Sequence, residues 1–115
     1  MNKWLISVLI MAATTVWGAT YYIDYAGGLN TNNGLSKTTA WKVHPYMKSY
    51  NGSYTHQAGD KFIFKGGISW PNTVFPLAIS AGGTSTAPDY YGPDTAWYGG
   101  GSWTRPIFDD GGTSA

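Results

Sequence analysis

The chain contains no cysteine. A disulfide framework, a thiolate nucleophile and a cysteine-based zinc site are therefore excluded, and so is a lipid carried on an N-terminal cysteine after export. Glutamate is also absent, so all six acidic residues are aspartates. Charged residues make up 11% of the chain and the formal net charge is +1. Such a balance offers no basic field for nucleic acid and no acidic field for cations. Good helix formers are scarce: Gln57 and Arg105 are the sole residues of their types, which counts against a helical bundle. Gly-x-Ser-x-Gly does not occur, and no glycine cluster falls between a predicted strand and a helix. A nucleophile elbow and a phosphate loop are both disfavoured on that ground.

What the chain does have is glycine and aromatic side chains: 16 Gly, 9 Tyr and 6 Trp in 115 residues, with 43% hydrophobic content. The length bounds a single domain, and the apolar content is enough for a core. Glycine supplies turns and aromatics favour pleated surfaces, so the composition points to short strands joined by many turns.

The first 18 residues read as a signal peptide. Met1-Asn2-Lys3 is a short positive start, and Trp4 to Ala13 is apolar or small apart from Ser7. The run is about half of the roughly 20 residues that span a bilayer. Val16 and Gly18 occupy the third and first positions before a cut after Gly18. The expected location is secreted, extracellular or periplasmic, with no membrane association after cleavage.

The strongest strand signal is Gly59-Asp60-Lys61-Phe62-Ile63-Phe64-Lys65-Gly66-Gly67. Lys61, Ile63 and Lys65 alternate with Phe62 and Phe64 between glycine stops, the pattern of a half-buried strand. Further strands are expected at Tyr21–Tyr25, Phe75–Ser80, Asp94–Tyr98 and Arg105–Asp109, and a short helix is expected over Pro45–Tyr50. Asn30, Asn32 and Asn33 resemble part of a calcium loop, but such a loop closes with a glutamate that this chain lacks, so a turn is expected. Asn51-Gly52-Ser53 is a glycosylation sequon.

Taken together, Tyr21-Tyr22-Ile23-Asp24, Asn33-Gly34-Leu35-Ser36 with Ala40-Trp41-Lys42, the Gly59–Gly67 stretch and Pro106-Ile107-Phe108-Asp109 resemble a known pattern. They are similar to the N-terminal region of secreted right-handed parallel β-helix proteins of the pectate-lyase-like superfamily. The resemblance implies an all-β fold: residues 19–58 as an N-terminal strand, loop and cap, and residues 59–115 as the first one or two coils of a truncated solenoid. It implies a polysaccharide partner, a lyase or glycoside hydrolase activity in the full-length form, and missing C-terminal coils of the same protein. The superfamily also holds non-catalytic surface proteins, so an adhesion role stays open, as does a small all-β carbohydrate-binding module. No cofactor is expected for this chain; calcium is one the resemblance allows for the full-length form. With the central coils missing, the fragment itself is expected to be inactive.

No residue set in the sequence forms a complete active site. Asp109 and Asp110 are a tempting carboxylate pair for glycoside hydrolysis, but neighbours on a strand point to opposite faces. Corner residues are the better reading, and Asp60 is expected to close a turn. Arg105, Lys61 and Lys65 read as solvated strand faces. His44 and His56 lack a third ligand at a recognised spacing, so no metal site is expected. Trp70, Trp97, Trp103 and Tyr98 are the candidate carbohydrate-binding residues, because flat rings pair with sugar faces. Tyr90 and Tyr91 are weaker candidates of the same kind. Trp41 is expected to be structural.

Overall fold

A computed structural model describes residues 18–112. The expected signal peptide lies almost wholly outside them. Within the described residues the regular structure consists of short strands: β1 (Thr20–Ile23), β2 (Lys61–Phe64), β3 (Ser69–Trp70), β4 (Tyr90–Gly92) and β5 (Ile107–Phe108). Two single-turn 3-10 segments, Lys37–Thr39 and Asn72–Val74, complete it, and no α-helix is present among these residues.

Every strand pair is parallel. β2 lies between β1 and β4, with Tyr21 opposite Phe62 and Phe62 opposite Tyr91. β3 pairs with β5, placing Ser69 opposite Ile107 and Trp70 opposite Phe108. A parallel bridge from Gly66 to Tyr98 joins the two ladders. Residues 61–70 therefore form one rung and residues 90–108 form a second rung on top of it, visited in the same order. Backbone bonds follow the corner between the ladders: Gly66 and Gly67 donate to Trp97 and Thr104, and Ile107 and Asp109 donate to Ile68 and Trp70.

Alternation along β2 has the expected consequence. Phe62 and Phe64 enter a core with Ile23, Trp41, Val43, Met47, Trp70 and Val74. Ile63 faces the other way, yet it too is buried, under Trp97, Ala40 and Tyr22. A central parallel strand is normally covered on both faces, and here the second cover comes from the loop residues Ala40 and Trp97 and from Tyr22 of β1 instead of helices. Same-face residues stack from rung to rung: the Tyr21 and Phe62 rings lie 5.8 Å apart and nearly parallel, and Phe62 and Tyr91 lie 4.8 Å apart.

Residues 24–58, within the stretch 19–58 expected as strand, loop and cap, close the outer side of β1. Tyr22 donates to the Gly34 carbonyl and accepts from the Trp41 amide, and Asp24 donates to Trp41. These bonds satisfy a strand edge that would otherwise invite pairing with another chain. Trp41 is fully buried, stacks on Tyr21 at 4.7 Å and donates its indole N–H to Asn32 O at 2.7 Å. The three asparagines hold backbone: Asn30 Oδ1 accepts from Val43 N, Asn32 Nδ2 donates to Ala40 O, and Asn33 Oδ1 accepts from Leu35 N.

Three expectations are corrected. Pro45–Tyr50 is not a helix but a tight turn, in which Met47 N donates to His44 O and Tyr46 N to His44 Nδ1. The stretch is too short to nucleate a helix, and Ser49 already has a φ of 74°. Phe75–Ser80 forms no strand. Pro76 has no amide hydrogen to give to a ladder, and the segment meets the cap turn through one bond, Ala78 N to Tyr46 O. Asp94–Tyr98 contributes only the Tyr98 bridge. There the Asp94 side chain accepts from Ala96 N and bends the chain into a turn instead.

Gly34 has a φ of 74°, and a Cβ there would lie 2.7 Å from the Trp41 ring. Gly34→Ala is therefore expected to cost about 2 kcal/mol, from left-handed backbone strain and from pushing the indole off Tyr21. Chemical denaturation against the parent chain reads this directly.

Candidate functional site

Two surfaces carry polar or flat chemistry. The first is where β2 and β4 begin. Each strand is preceded by an aspartate, and each aspartate reaches back to the backbone below it. Asp60 Oδ1 accepts from Ala19 N at 2.8 Å, and its Oδ2 accepts from Tyr54 Oη at 2.6 Å and Gln57 N at 3.0 Å. Asp89 Oδ1 accepts from Gly59 N at 2.9 Å, while its Oδ2 meets His56 Nε2 at 2.7 Å. Asp60 is fully buried, and the Asp89 side chain is nearly so. Beside them lies a cavity of about 320 Å³ lined by Gly18, Gly59, Lys61, Ala87, Asp89 and Tyr90, among others.

Burial, then the hydrogen bond to Asp60 and the charge of that carboxylate, hold the Tyr54 phenol well above its ordinary range. Burial also pushes Tyr91 up to about 12, with the Asp89 charge adding to it. Both tyrosines stay protonated at any physiological pH. His56 Nε2 and Asp89 Oδ2 are hydrogen-bonded, but no Ser or Thr hydroxyl is hydrogen-bonded to His56 among the described residues. This arrangement can bind and orient; it lacks the second half of a hydrolytic dyad.

The second surface is aromatic. Of the four candidate rings, Trp70 is fully buried, stands edge-on to Phe64 at 5.3 Å and donates its indole N–H to Lys42 O at 3.1 Å. It cannot meet a sugar without unfolding the core, so its assignment to carbohydrate is corrected to packing. Trp97 is 9% exposed and covers Ile63, with Lys65 Nζ 5.6 Å from its ring centre. It too belongs to the interior. Trp103 and Tyr98 do come together at the surface, 6.2 Å apart and nearly perpendicular. Trp103 lies over Gly66, where an added Cβ would sit 2.1 Å from its ring. Gly66 thus acts as the seat of this ledge as well as a corner. Tyr90 is exposed, whereas Tyr91 packs inward against Phe62 and His44.

The remaining candidates resolve simply. Asp109 and Asp110 each accept an amide hydrogen from the glycine two residues on, as turn residues do. Lys65 is an ion-pair partner, 3.0 Å from Asp24. Lys61 and Arg105 are exposed. His44 is fully buried in the core, far from a ligand role. No group of three metal-ligating side chains lies together among the described residues. On sequence alone Asp60 has only a turn-closing role and Asp89 is not singled out, although Asp60-Lys61-Phe62 and Asp89-Tyr90-Tyr91 share an Asp directly before an aromatic strand.

Compared with known proteins, the chain matches no family model, no curated protein and no solved structure.

Proposed function

We propose that this chain is the N-terminal cap and first rungs of an exported right-handed parallel β-helix protein that acts on polysaccharide, as a lyase or glycoside hydrolase in its full-length form. The observation that carries the reading is the rung register: residues 61–70 and 90–108 stack in parallel and in the same order on a capped first strand. An antiparallel carbohydrate-binding sandwich would not pair this way. The far rung supports the same reading. Ile107 and Phe108 are 52% and 46% exposed, and β4 and β5 each have one unpaired side among the described residues. Further coils of the same protein are the partner that would cover them.

In this reading the chain is a base for stacking and a sugar contact, not a catalytic unit. The Trp103–Tyr98 ledge, two rings set nearly at right angles, supplies apolar ring faces of the kind a sugar packs on. The same ledge would serve a non-catalytic surface protein equally well, and turnover separates the two only in the full-length form. Two results are expected of the purified chain. Incubated with pectin or alginate, it releases no unsaturated products; measurable release places a complete active site in these residues and ends the division of labour proposed here. In affinity electrophoresis through the same polysaccharides, Trp103→Ala weakens retention about fivefold, the worth of roughly 1 kcal/mol of ring stacking, while the urea midpoint barely moves.

A further inference from the structure

We propose that removal of the leader after Gly18 completes the fold, by turning the Ala19 nitrogen into an ammonium group that neutralises the buried carboxylate of Asp60. The inference rests on the export reading above. Three buried or nearly buried aspartates stand close to the strand ends; among the described residues Asp24 has the Lys65 ammonium at 3.0 Å, and Asp89 has the His56 ring nitrogen at 2.7 Å. Asp60 is the most deeply buried, with no exposed surface. Among the described residues its donors are the Ala19 amide, the Tyr54 hydroxyl and the Gln57 amide, all neutral in the uncut chain. A buried carboxylate held only by neutral donors carries an uncompensated charge.

Hydrolysis of the Gly18–Ala19 bond supplies the compensation at the right atom. A leader-removing peptidase of the exporting cell adds water across the amide. The C–N bond breaks, the hydroxyl goes to the Gly18 carbonyl carbon, and the nitrogen of Ala19 leaves as an amine that takes up a proton at neutral pH. That nitrogen is already 2.8 Å from Asp60 Oδ1. It stays in place without Gly18, because the Ala19 carbonyl accepts from Lys61 N at 2.8 Å and β1 continues from Thr20 along β2. The geometry also orders the events. A Cβ on Gly18 would lie 2.1 Å from the Gly59 carbonyl carbon, so the bond to be cut lies flat against the start of β2 in the folded chain. A peptidase needs it extended and free, so cutting precedes folding, and the new ammonium then docks as β1 joins β2.

The test uses the full 115-residue chain, expressed with its leader in an exporting bacterium and recovered from the exported fraction. Intact mass is expected to show a chain beginning at Ala19. Its α-amine is then challenged with an amine-acylating ester near neutral pH, folded and in urea, and the site of acylation is read by peptide mass. The proposal expects at least tenfold slower acylation of the Ala19 amine in the folded chain, and loss of that protection in Asp60→Asn. Tyr54→Phe, which keeps the carboxylate, is expected to retain it. If Asp60→Asn does not fold, the wild-type protection factor still decides. A chain retained inside the cell with its leader uncut, and absent from the exported fraction, overturns the export reading. A chain cut elsewhere, or cut after Gly18 with a freely reactive amine, overturns the latch and leaves the export reading standing.

Discussion

Trp41→Ala is expected to destabilise the domain by about 4 kcal/mol, within the range for deleting a large buried aromatic. A domain of this size has roughly 5–15 kcal/mol in all, so a large part of the population unfolds under mild denaturant. Several contacts are lost together. The Trp41 ring is fully buried, stacks on Tyr21, meets Tyr50 and Tyr54 edge-on, and gives its indole hydrogen to Asn32 O. Its backbone closes the outer side of β1 on both flanks of Tyr22 and Asp24. Removing the side chain leaves a cavity between cap and sheet, and the backbone edge loses the weight that holds it. Urea titration followed by tyrosine fluorescence and circular dichroism is expected to show the midpoint falling by roughly 3 M, given a slope near 1–2 kcal/mol/M. Trp103→Ala, made at the surface, is the control and leaves the midpoint nearly unchanged. A Trp41→Ala chain as stable as its parent would mean that the cap is not packed on β1 through this ring.

The second large effect is on acid stability. Burial drives the His44 pKa from its ordinary 6.5 down to about 3. The geometry agrees. Nδ1 accepts the Tyr46 amide hydrogen at 2.9 Å, so a proton placed there would face another hydrogen. The ring sits 4.2 Å from Phe62 and 5.1 Å from Tyr91, centre to centre, and among the described residues no acidic side chain is hydrogen-bonded to it. The folded pKa lies below the unfolded one, so the unfolded state takes up the proton first as pH falls. Stability from this residue is complete above about pH 6.5 and declines by roughly 1.4 kcal/mol per unit towards pH 3. At pH 4.5 the loss is about 2.7 kcal/mol. His44→Asn keeps an acceptor for the Tyr46 amide but cannot titrate. It is expected to be less stable than the parent at pH 7, with the gap closing as pH falls to 4.5. A gap independent of pH would show that His44 is not held neutral by the core.

Local alternation made β2 readable from sequence, and its outcome shows why. Phe62 and Phe64 are both buried in one cluster because a strand places every second residue on one face. β1 and β5 were legible as β-prone runs: β1 begins one residue earlier and ends two residues earlier than expected, and β5 is trimmed by two residues at its start and one at its end. β4 was not, because Tyr90-Tyr91-Gly92 is too short to show a period, and its pairing with β2 is a long-range event. Phe75-Pro76-Leu77 shows the opposite failure: a good alternating pattern with no partner strand to pair with. Of the candidate rings, sequence identified the residues but not their sides. Trp70 and Trp103 look alike in the chain; only the stacking of β3 under β5 puts one inside and leaves the other on the ledge. The aspartates that tie each rung to the one below were equally hidden, since Asp60 meets Ala19 across 41 residues and Asp89 meets Gly59 across 30.

The parallel register is the claim on which the rest depends, and the cysteine-free chain allows it to be tested with engineered cysteine pairs. In the parallel arrangement Lys61 is opposite Tyr90, and Ile63 is opposite Gly92. Antiparallel pairing of the same two strands would put Lys61 opposite Gly92. Under mild oxidation, Lys61→Cys with Tyr90→Cys is expected to form a disulfide rapidly and almost completely, and Lys61→Cys with Gly92→Cys slowly and in small yield. The reverse order of rates would contradict the stacked-rung architecture.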